Sequence, residues 1–290
     1  MKLEYKNFYA DKEKELITSI GPEGSGYDIE IPRKVDYIQS SLFANCPNLE
    51  KVELPKGVFV IASNAFTNCR NLREVLLPSS INYISSEVFL SCESLEKINI
   101  PNSITEISPN TFSYCESLKE ITLPDSVTEL RKGAFSHCYS LEKIKLSNNL
   151  NIIDFDVFWD CVSLKNIKLP PSLEFINESA FYYCGIEKIE LPKSIKELCS
   201  HGLVFSDCAD LKEVIINAKC KLPTDLFCKC NNLKHIYITK ESYDLSPWFV
   251  NEYESKIKII EPKTLDDLLN EGKSLKELSR MYKENSELII

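Results

Sequence analysis

Twelve cysteines and three histidines are the residues of this 290-residue chain whose chemistry is most readily tested against spacing. Such a set could form disulfides, hold zinc or supply a thiolate nucleophile. The histidines are His137, His201 and His235, 34 or more residues apart, and spacing offers none of them a Ser or Cys partner. The chain has no G-x-S-x-G, no phosphate loop and no H-E-x-x-H. The densest group is Cys199, His201, Cys208, Cys220, Cys228 and Cys230. Its C-x-H and C-x-C spacings match no standard zinc module, which needs about four converging ligands. No enzyme, no metal and no cofactor are expected. A regulatory metal or redox role for the Cys/His group stands as an alternative.

Nine of the cysteines, Cys208 and Cys230 among them, belong to a repeat. Cysteine recurs at Cys46, Cys69, Cys92, Cys115, Cys138, Cys161, Cys184, Cys208 and Cys230, at spacings of 23 six times, then 24 and 22. Phenylalanine stands three residues ahead of each, from Phe43 to Phe227, and Leu mostly stands three residues behind. Pro follows most strands, as at Pro55, Pro78, Pro101 and Pro124. A 23-residue unit cannot bury its own apolar side, but stacking it on a copy closes a core and places like residues in columns. In "LKEITLP" the side chains alternate, with Ile121 and Leu123 inward and Glu120 and Thr122 outward. Stacked copies of that strand form a parallel sheet, and the nine Phe form an aromatic spine.

The unit C-x-x-L-x-x-I-x-L-P-x-S-I-x-x-I-x-x-x-x-F resembles the BspA-like, or Treponema-type, leucine-rich repeat over about residues 22–240. The resemblance implies a right-handed curved solenoid, mainly β, with a parallel sheet on its concave face and short turns or 3-10 elements on the other sides. It also implies noncatalytic binding or adhesion, often in secreted proteins. The expected organisation is an N-terminal cap over 1–30, about nine repeats over 31–240, a C-terminal cap over 241–262 and a helical tail over 263–290. "LEYKNFYA", "ELITSIG" and the apolar "YDLSPWFVNEYESKIKII" read as strands, the last covering the final unit with Trp248 and Phe249. In the tail, Thr264 and Ser274 read as N-caps with Asp267 and Glu277 three residues on. Its six acids against four bases argue against DNA binding.

Stacked units lie about 4.8 Å apart. A disulfide wants Cβ atoms tilted together at about 3.8 Å, which parallel side chains in one column are not. The column cysteines therefore read as small buried apolar residues. Charges flank the central strand residue in alternating order: Glu50-Lys51, Arg73-Glu74, Glu96-Lys97, Lys119-Glu120 and Glu142-Lys143. Opposite signs thus face each other between coils, which controls register more than it adds stability.

Two surfaces are candidates for binding. The outward strand position carries Glu53, Leu76, Asn99, Thr122, Lys145, Lys168, Glu190, Ile215 and Tyr237. The Phe-to-Cys edge carries Tyr114, His137, Tyr139, Trp159, Tyr182 and Tyr183, where earlier units have Asn45, Thr67, Asn68, Ser91 and Glu93. Clustered exposed aromatics suit an interface; alternatively each ring covers its neighbour's edge as routine packing.

Net charge is −9, which disfavours nucleic acid and anionic membranes. No run of roughly 18 apolar residues is present, and no signal peptide is visible. The expectation is a monomeric cytoplasmic scaffold that binds a protein partner. If the N-terminus is not native, the alternative is a cell-surface or secreted protein binding carbohydrate or host matrix.

Overall fold

The computed structural model describes residues 8–11, 16–20, 28–30, 35–199 and 203–260. The expected helical tail and His201 lie outside the described residues, as does most of the segment expected as an N-terminal cap. The molecule is a parallel β-solenoid of about ten turns. Coils are numbered here by their column cysteine, one for Cys46 to nine for Cys230.

The expected strands form one ladder of the solenoid. Asp28–Glu30, Lys51–Glu53, Glu74–Leu76 and Lys97–Ile98 pair in parallel, as do Glu120–Thr122 with Lys143–Lys145, and Lys188–Leu191 with Glu213–Ile216, His235–Thr239 and Ile257–Ile260. Asn99 shortens the pairing of Lys97–Ile98 with Glu74–Leu76. Its side-chain amide donates to the Leu77 carbonyl and accepts from the Leu77 N–H, both at 2.8 Å. The side chain there stands in for the backbone of Asn99 itself, since the equivalent Leu54 and Leu123 N–H groups donate to backbone carbonyls of the next coil.

A second ladder lies where the sequence suggested only a turn. It is built from two-residue strands, among them Tyr37–Ile38, Val60–Ile61, Tyr83–Ile84, Glu106–Ile107 and Glu129–Leu130. Each buries its second residue and turns its first toward solvent, the alternation of a pleated strand. A hairpin of Phe8–Asp11 and Leu16–Ile20 lies at one edge of this ladder, pairing with Tyr37–Ile38 in parallel. Serines of the P-x-S motif hold the turn between the ladders. Ser80, Ser126 and Ser172 donate to the carbonyls of Val58, Ile104 and Leu150 in the preceding coil, each at 2.7 Å.

The third side, from five residues before the cysteine to the cysteine itself, is also hydrogen-bonded from coil to coil. In coil one, Ser41, Phe43 and Asn45 donate to the carbonyls of Ser63, Ala65 and Thr67 at 2.8–3.0 Å. Two residues in this stretch are left-handed, as at Ser41 (φ 57°) and Asn45 (φ 59°), and the position before the cysteine is left-handed in all nine coils.

Inside these three sides run the two expected columns. Neighbouring Phe rings from Phe43 to Phe227 lie 5.0–5.8 Å apart and nearly parallel. Phe112 and Phe135 are 5.3 Å apart, and Cys115 is fully buried. Every coil contributes its Val or Ile, Leu and Phe to this single core.

The strand expected across residues 243–260 forms only at its end. Residues 240–253 instead make two short helices, α1 (Lys240–Leu245) and α2 (Pro247–Tyr253), before the strand Ile257–Ile260. The Thr239 hydroxyl caps α1 by accepting from the Ser242 N–H, and Pro247 opens α2 where a missing N–H costs nothing. Tyr243, Trp248 and Phe249 favour strands by propensity, but the caps decide. α2 lays Phe249 and Tyr253 edge-on against Phe227, at 6.2 and 6.0 Å, closing the aromatic spine.

Candidate interaction surfaces

The column cysteines are buried from Cys69 onward. All twelve cysteines are free. From Cys69 onward each column thiol donates to the carbonyl of the Phe in the coil before, as Cys92 does to Phe66 at 3.2 Å and Cys184 to Phe158 at 2.9 Å. Burial pushes the Cys115, Cys138 and Cys184 thiols well up, so none of these three is a thiolate nucleophile at neutral pH. In the C-terminal group, Cys208 and Cys230 are spent in the column. Burial raises Cys220 to about 11, and Cys199 and Cys228 are half-buried. Among the described residues no three His, Cys, Asp or Glu side chains are placed to hold a metal. A depression of about 420 Å³ lies between coil nine and α2, beside Cys228, Tyr253 and Lys256.

On the strand face, Glu53, Leu76, Asn99, Thr122, Lys145, Lys168 and Glu190 are exposed, and Ile215 and Tyr237 are half-buried. Much of the charge on this face is paired between coils. Lys51 meets Glu74 at 2.8 Å, Arg73 meets Glu96 at 3.3 Å and Lys212 meets Glu187 at 3.1 Å. The hydrogen bond from Lys51 holds the Glu74 carboxyl below its usual range, and Lys212 does the same for Glu187. Several outward residues are likewise committed. Asn99 is bent into the ladder, Glu190 accepts from Asn217 at 2.8 Å, and Lys258 sits over the Tyr237 ring at 5.6 Å.

The aromatic edge is a connected group. Tyr114 stacks on His137 at 4.3 Å. His137 meets Trp159 at 5.2 Å and the edge of Tyr139 at 5.9 Å. Trp159 meets Tyr182 at 6.0 Å, and Tyr182 meets Tyr183 at 5.6 Å. All six residues singled out from the sequence are brought together across coils four to seven. The rings do cover one another's edges, yet Tyr114 and Trp159 remain 38% exposed and Tyr183 50%.

Backbone geometry separates this edge from routine packing. Tyr114, His137 and Tyr183 occupy the left-handed position before the column cysteine, at φ 59°, 59° and 60°. That conformation costs an L-residue roughly 1–2 kcal/mol, and Asn or Asp bear it best. Coils one and two use Asn45 and Asn68 there, and the Asn68 side-chain amide donates to that of Asn45 at 3.0 Å. Coils four, five and seven forgo that arrangement for a ring.

Carboxylates escaped the sequence reading because their partners sit one coil away. The His137 Nδ1–H donates to Asp160 at 3.2 Å, and the Tyr139 hydroxyl lies 3.4 Å from the same nitrogen. A hydrogen bond to Asp207 and burial push the Tyr182 phenol up. Burial, with Asp160, Tyr114 and Glu116 nearby, does the same for Tyr139. Phe155 was also missed. It is 41% exposed, between Asp154 and Asp156. A further apolar pair, Phe59 and Tyr83, is exposed beside and on the second ladder.

No curated protein matches the chain. Among solved structures, a leucine-rich repeat protein from Bacteroides ovatus is 21% identical with a TM-score of 0.58, covering 88% of this chain and 97% of that one. A leucine rich repeat protein from T. pallidum is 28% identical with a TM-score of 0.57, covering 63% and 89%. A leucine rich cell surface protein from Faecalibacterium prausnitzii is 21% identical with a TM-score of 0.53, covering 90% and 94%. The profile of the BspA type leucine rich repeat region matches residues 25–142 and 128–258. With its Phe and Cys columns stacked coil on coil, the chain belongs to the BspA-type leucine-rich repeat family.

Proposed function

We propose that this protein is a noncatalytic recognition module that binds a protein partner through the aromatic edge of coils four to seven. One observation carries the reading. At the left-handed position that every coil has before its cysteine, the other coils carry Asn, Ser, Asp or Lys, and this edge instead carries Tyr114, His137 and Tyr183, with Tyr114 and Tyr183 at the surface. Rigid, partly exposed aromatics are the usual anchors of protein interfaces, and a bulky ring where Asn or Asp bears the left-handed backbone best suits a binding role better than a packing one. The strand face is the less favoured surface, because its charges are largely satisfied between coils. The family supports a binding or adhesion role in general terms.

The test is affinity capture with immobilised wild type and with a Tyr139/Trp159→Ala double variant, matched for folding by circular dichroism. The expected result is a partner recovered by the wild type and lost by the variant. Equal recovery by both would remove the edge from the function.

A further inference from the structure

The edge reading leaves open what chemistry the partner presents, and coil six answers it. The stretch Asp154–Asp160 reads D-F-D-V-F-W-D. Val157 and Phe158 are buried in the core, while Phe155 and Trp159 are 41% and 38% exposed. Asp154, Asp156 and Asp160 flank these two rings in sequence and are partly open to solvent, with Asp154 accepting from the Asn177 amide at 2.7 Å. Glu178 of the next coil adds a fourth carboxylate close to Asp156. Cationic groups facing this cluster are few. Lys132 reaches Asp156 only at 3.9 Å from a mostly exposed position, and His137 is hydrogen-bonded to Asp160. Arg131, on the neighbouring coil, is engaged by Glu106 and Glu129 at 2.9 and 2.7 Å.

We infer that the Asp154–Asp160 turn, with Tyr114 and His137 beside it, is a site for an arginine side chain presented by a basic segment of a protein partner. The inference rests on the reading of the aromatic edge as the recognition surface. A guanidinium is flat, weakly hydrated and forked, so one face can lie on an indole or phenyl ring while its N–H groups meet a carboxylate. Coil six supplies both kinds of surface within seven residues. An ammonium matches the carboxylates but stacks less well. A neutral glycan would use the rings and add no charge to meet the acids beyond Lys132. The chain's net charge of −9 adds long-range attraction for a basic partner. Crowding acts in the same direction. Burial first, and then the nearby Glu178 and Asp154, keep the Asp156 carboxyl above its ordinary range against the pull of Lys132, so a further cation there would favour its ionised form.

The experiment uses the full chain carrying Trp248→Phe, which leaves Trp159 as the one indole; Trp248 is far exposed and lies on α2, outside the edge. Trp159 fluorescence is titrated with acetyl-(Gly-Arg)4-amide, with the citrulline peptide of the same length, with the lysine peptide, and with an N-acetylglucosamine trimer. The expected result is quenching by the arginine peptide, at least tenfold weaker binding of the citrulline peptide, and intermediate binding of the lysine peptide. Asp160→Asn and Tyr114→Asn, both suited to a left-handed position, are expected to weaken the arginine peptide at least fivefold. Added salt is expected to weaken it too. Equal response to arginine and citrulline, binding of the glycan alone, or no response to any probe overturns the inference. If capture still depends on Tyr139 and Trp159 while the charge of the peptide makes no difference, the edge remains the recognition surface and only the arginine assignment falls. If capture is also indifferent to the edge, both fall.

Discussion

The thiol of Cys115 donates a hydrogen bond to the carbonyl oxygen of Phe89 in the preceding coil, at 3.3 Å. The same oxygen accepts the N–H of Cys92 at 3.2 Å. The column cysteine is therefore both a small apolar filler and a weak donor to a carbonyl whose second lone pair would otherwise be idle. Nine thiols are buried this way or in the neighbouring core, and Cys46, Cys199 and Cys228 are half-exposed. Titration of the native protein with a thiol reagent is expected to label those three quickly and the other nine only on denaturation. Cys115→Ala is expected to cost about 1–2 kcal/mol by urea unfolding, from the small cavity and the lost donor. Rapid native labelling of all twelve would contradict the arrangement.

The aromatic spine carries more of the stability. Phe135 is fully buried between Phe112 at 5.3 Å and Phe158 at 5.8 Å. Phe135→Ala is expected to cost about 3–5 kcal/mol. Phe249→Ala removes the ring from α2 that covers the end of the spine, and the same range applies. The last coils should then lose amide-exchange protection before the central ones.

Tyr183→Asn is expected to raise stability by about 0.5–1 kcal/mol, because it relieves a left-handed tyrosine that is half exposed. Tyr114→Asn relieves the same strain but gives up the 4.3 Å stack on His137, worth about 0.5–1.5 kcal/mol, and should be close to neutral. Thermal melts of the two variants decide it. A loss of more than about 1 kcal/mol in Tyr183→Asn would mean the ring is there for packing.

Coil seven is one residue shorter between its cysteine and its core aliphatic, Cys184 to Ile186. Gly185 makes the short cut possible, since a Cβ there would stand 2.0 Å from the Val162 carbonyl oxygen. Gly185→Ala must push two coils apart and is expected to cost about 1–3 kcal/mol. Unchanged unfolding would show that the backbone yields freely.

Asp156 sets a pH dependence. Burial, with Glu178 and Asp154 nearby, raises its folded-state pKa, so its ionised form opposes folding at neutral pH. As pH falls through that raised value, the folded state takes up the proton first and the penalty is relieved. Below the unfolded-state pKa, about 3.9, it is gone. Asp156→Asn should therefore melt higher than wild type at pH 7, with the gap closing toward about pH 4. A gap that widens on acidification would reverse the assignment.

The core was legible because Phe43 to Phe227 and Cys46 to Cys230 recur at one period, and any residue buried in every coil must recur so. The second ladder was not legible. Strands as short as Glu129–Leu130 show no alternation long enough to distinguish them from a turn. The six aromatics of the edge were found because they break the column pattern, whereas Asp160 was missed because its link to His137 runs between coils, 23 residues apart. Phe155 escaped although the repeat marks its position as outward, since the same column carries Ser40, Ser63, Ser86, Lys132 and Glu178. α1 and α2 were misread on side-chain propensity, although Thr239 and Ser246-Pro247 stood there as helix-start signals.

The ladders on three sides join each coil only to the one before and the one after. A chain held by its ends and stretched should then yield like a zip, releasing one loop of the stack at a time. Each release would lengthen the tether by roughly 70–80 Å, the contour of 23 extended residues less one stacking distance. Force traces should show a sawtooth of that period, with the caps setting the first rupture.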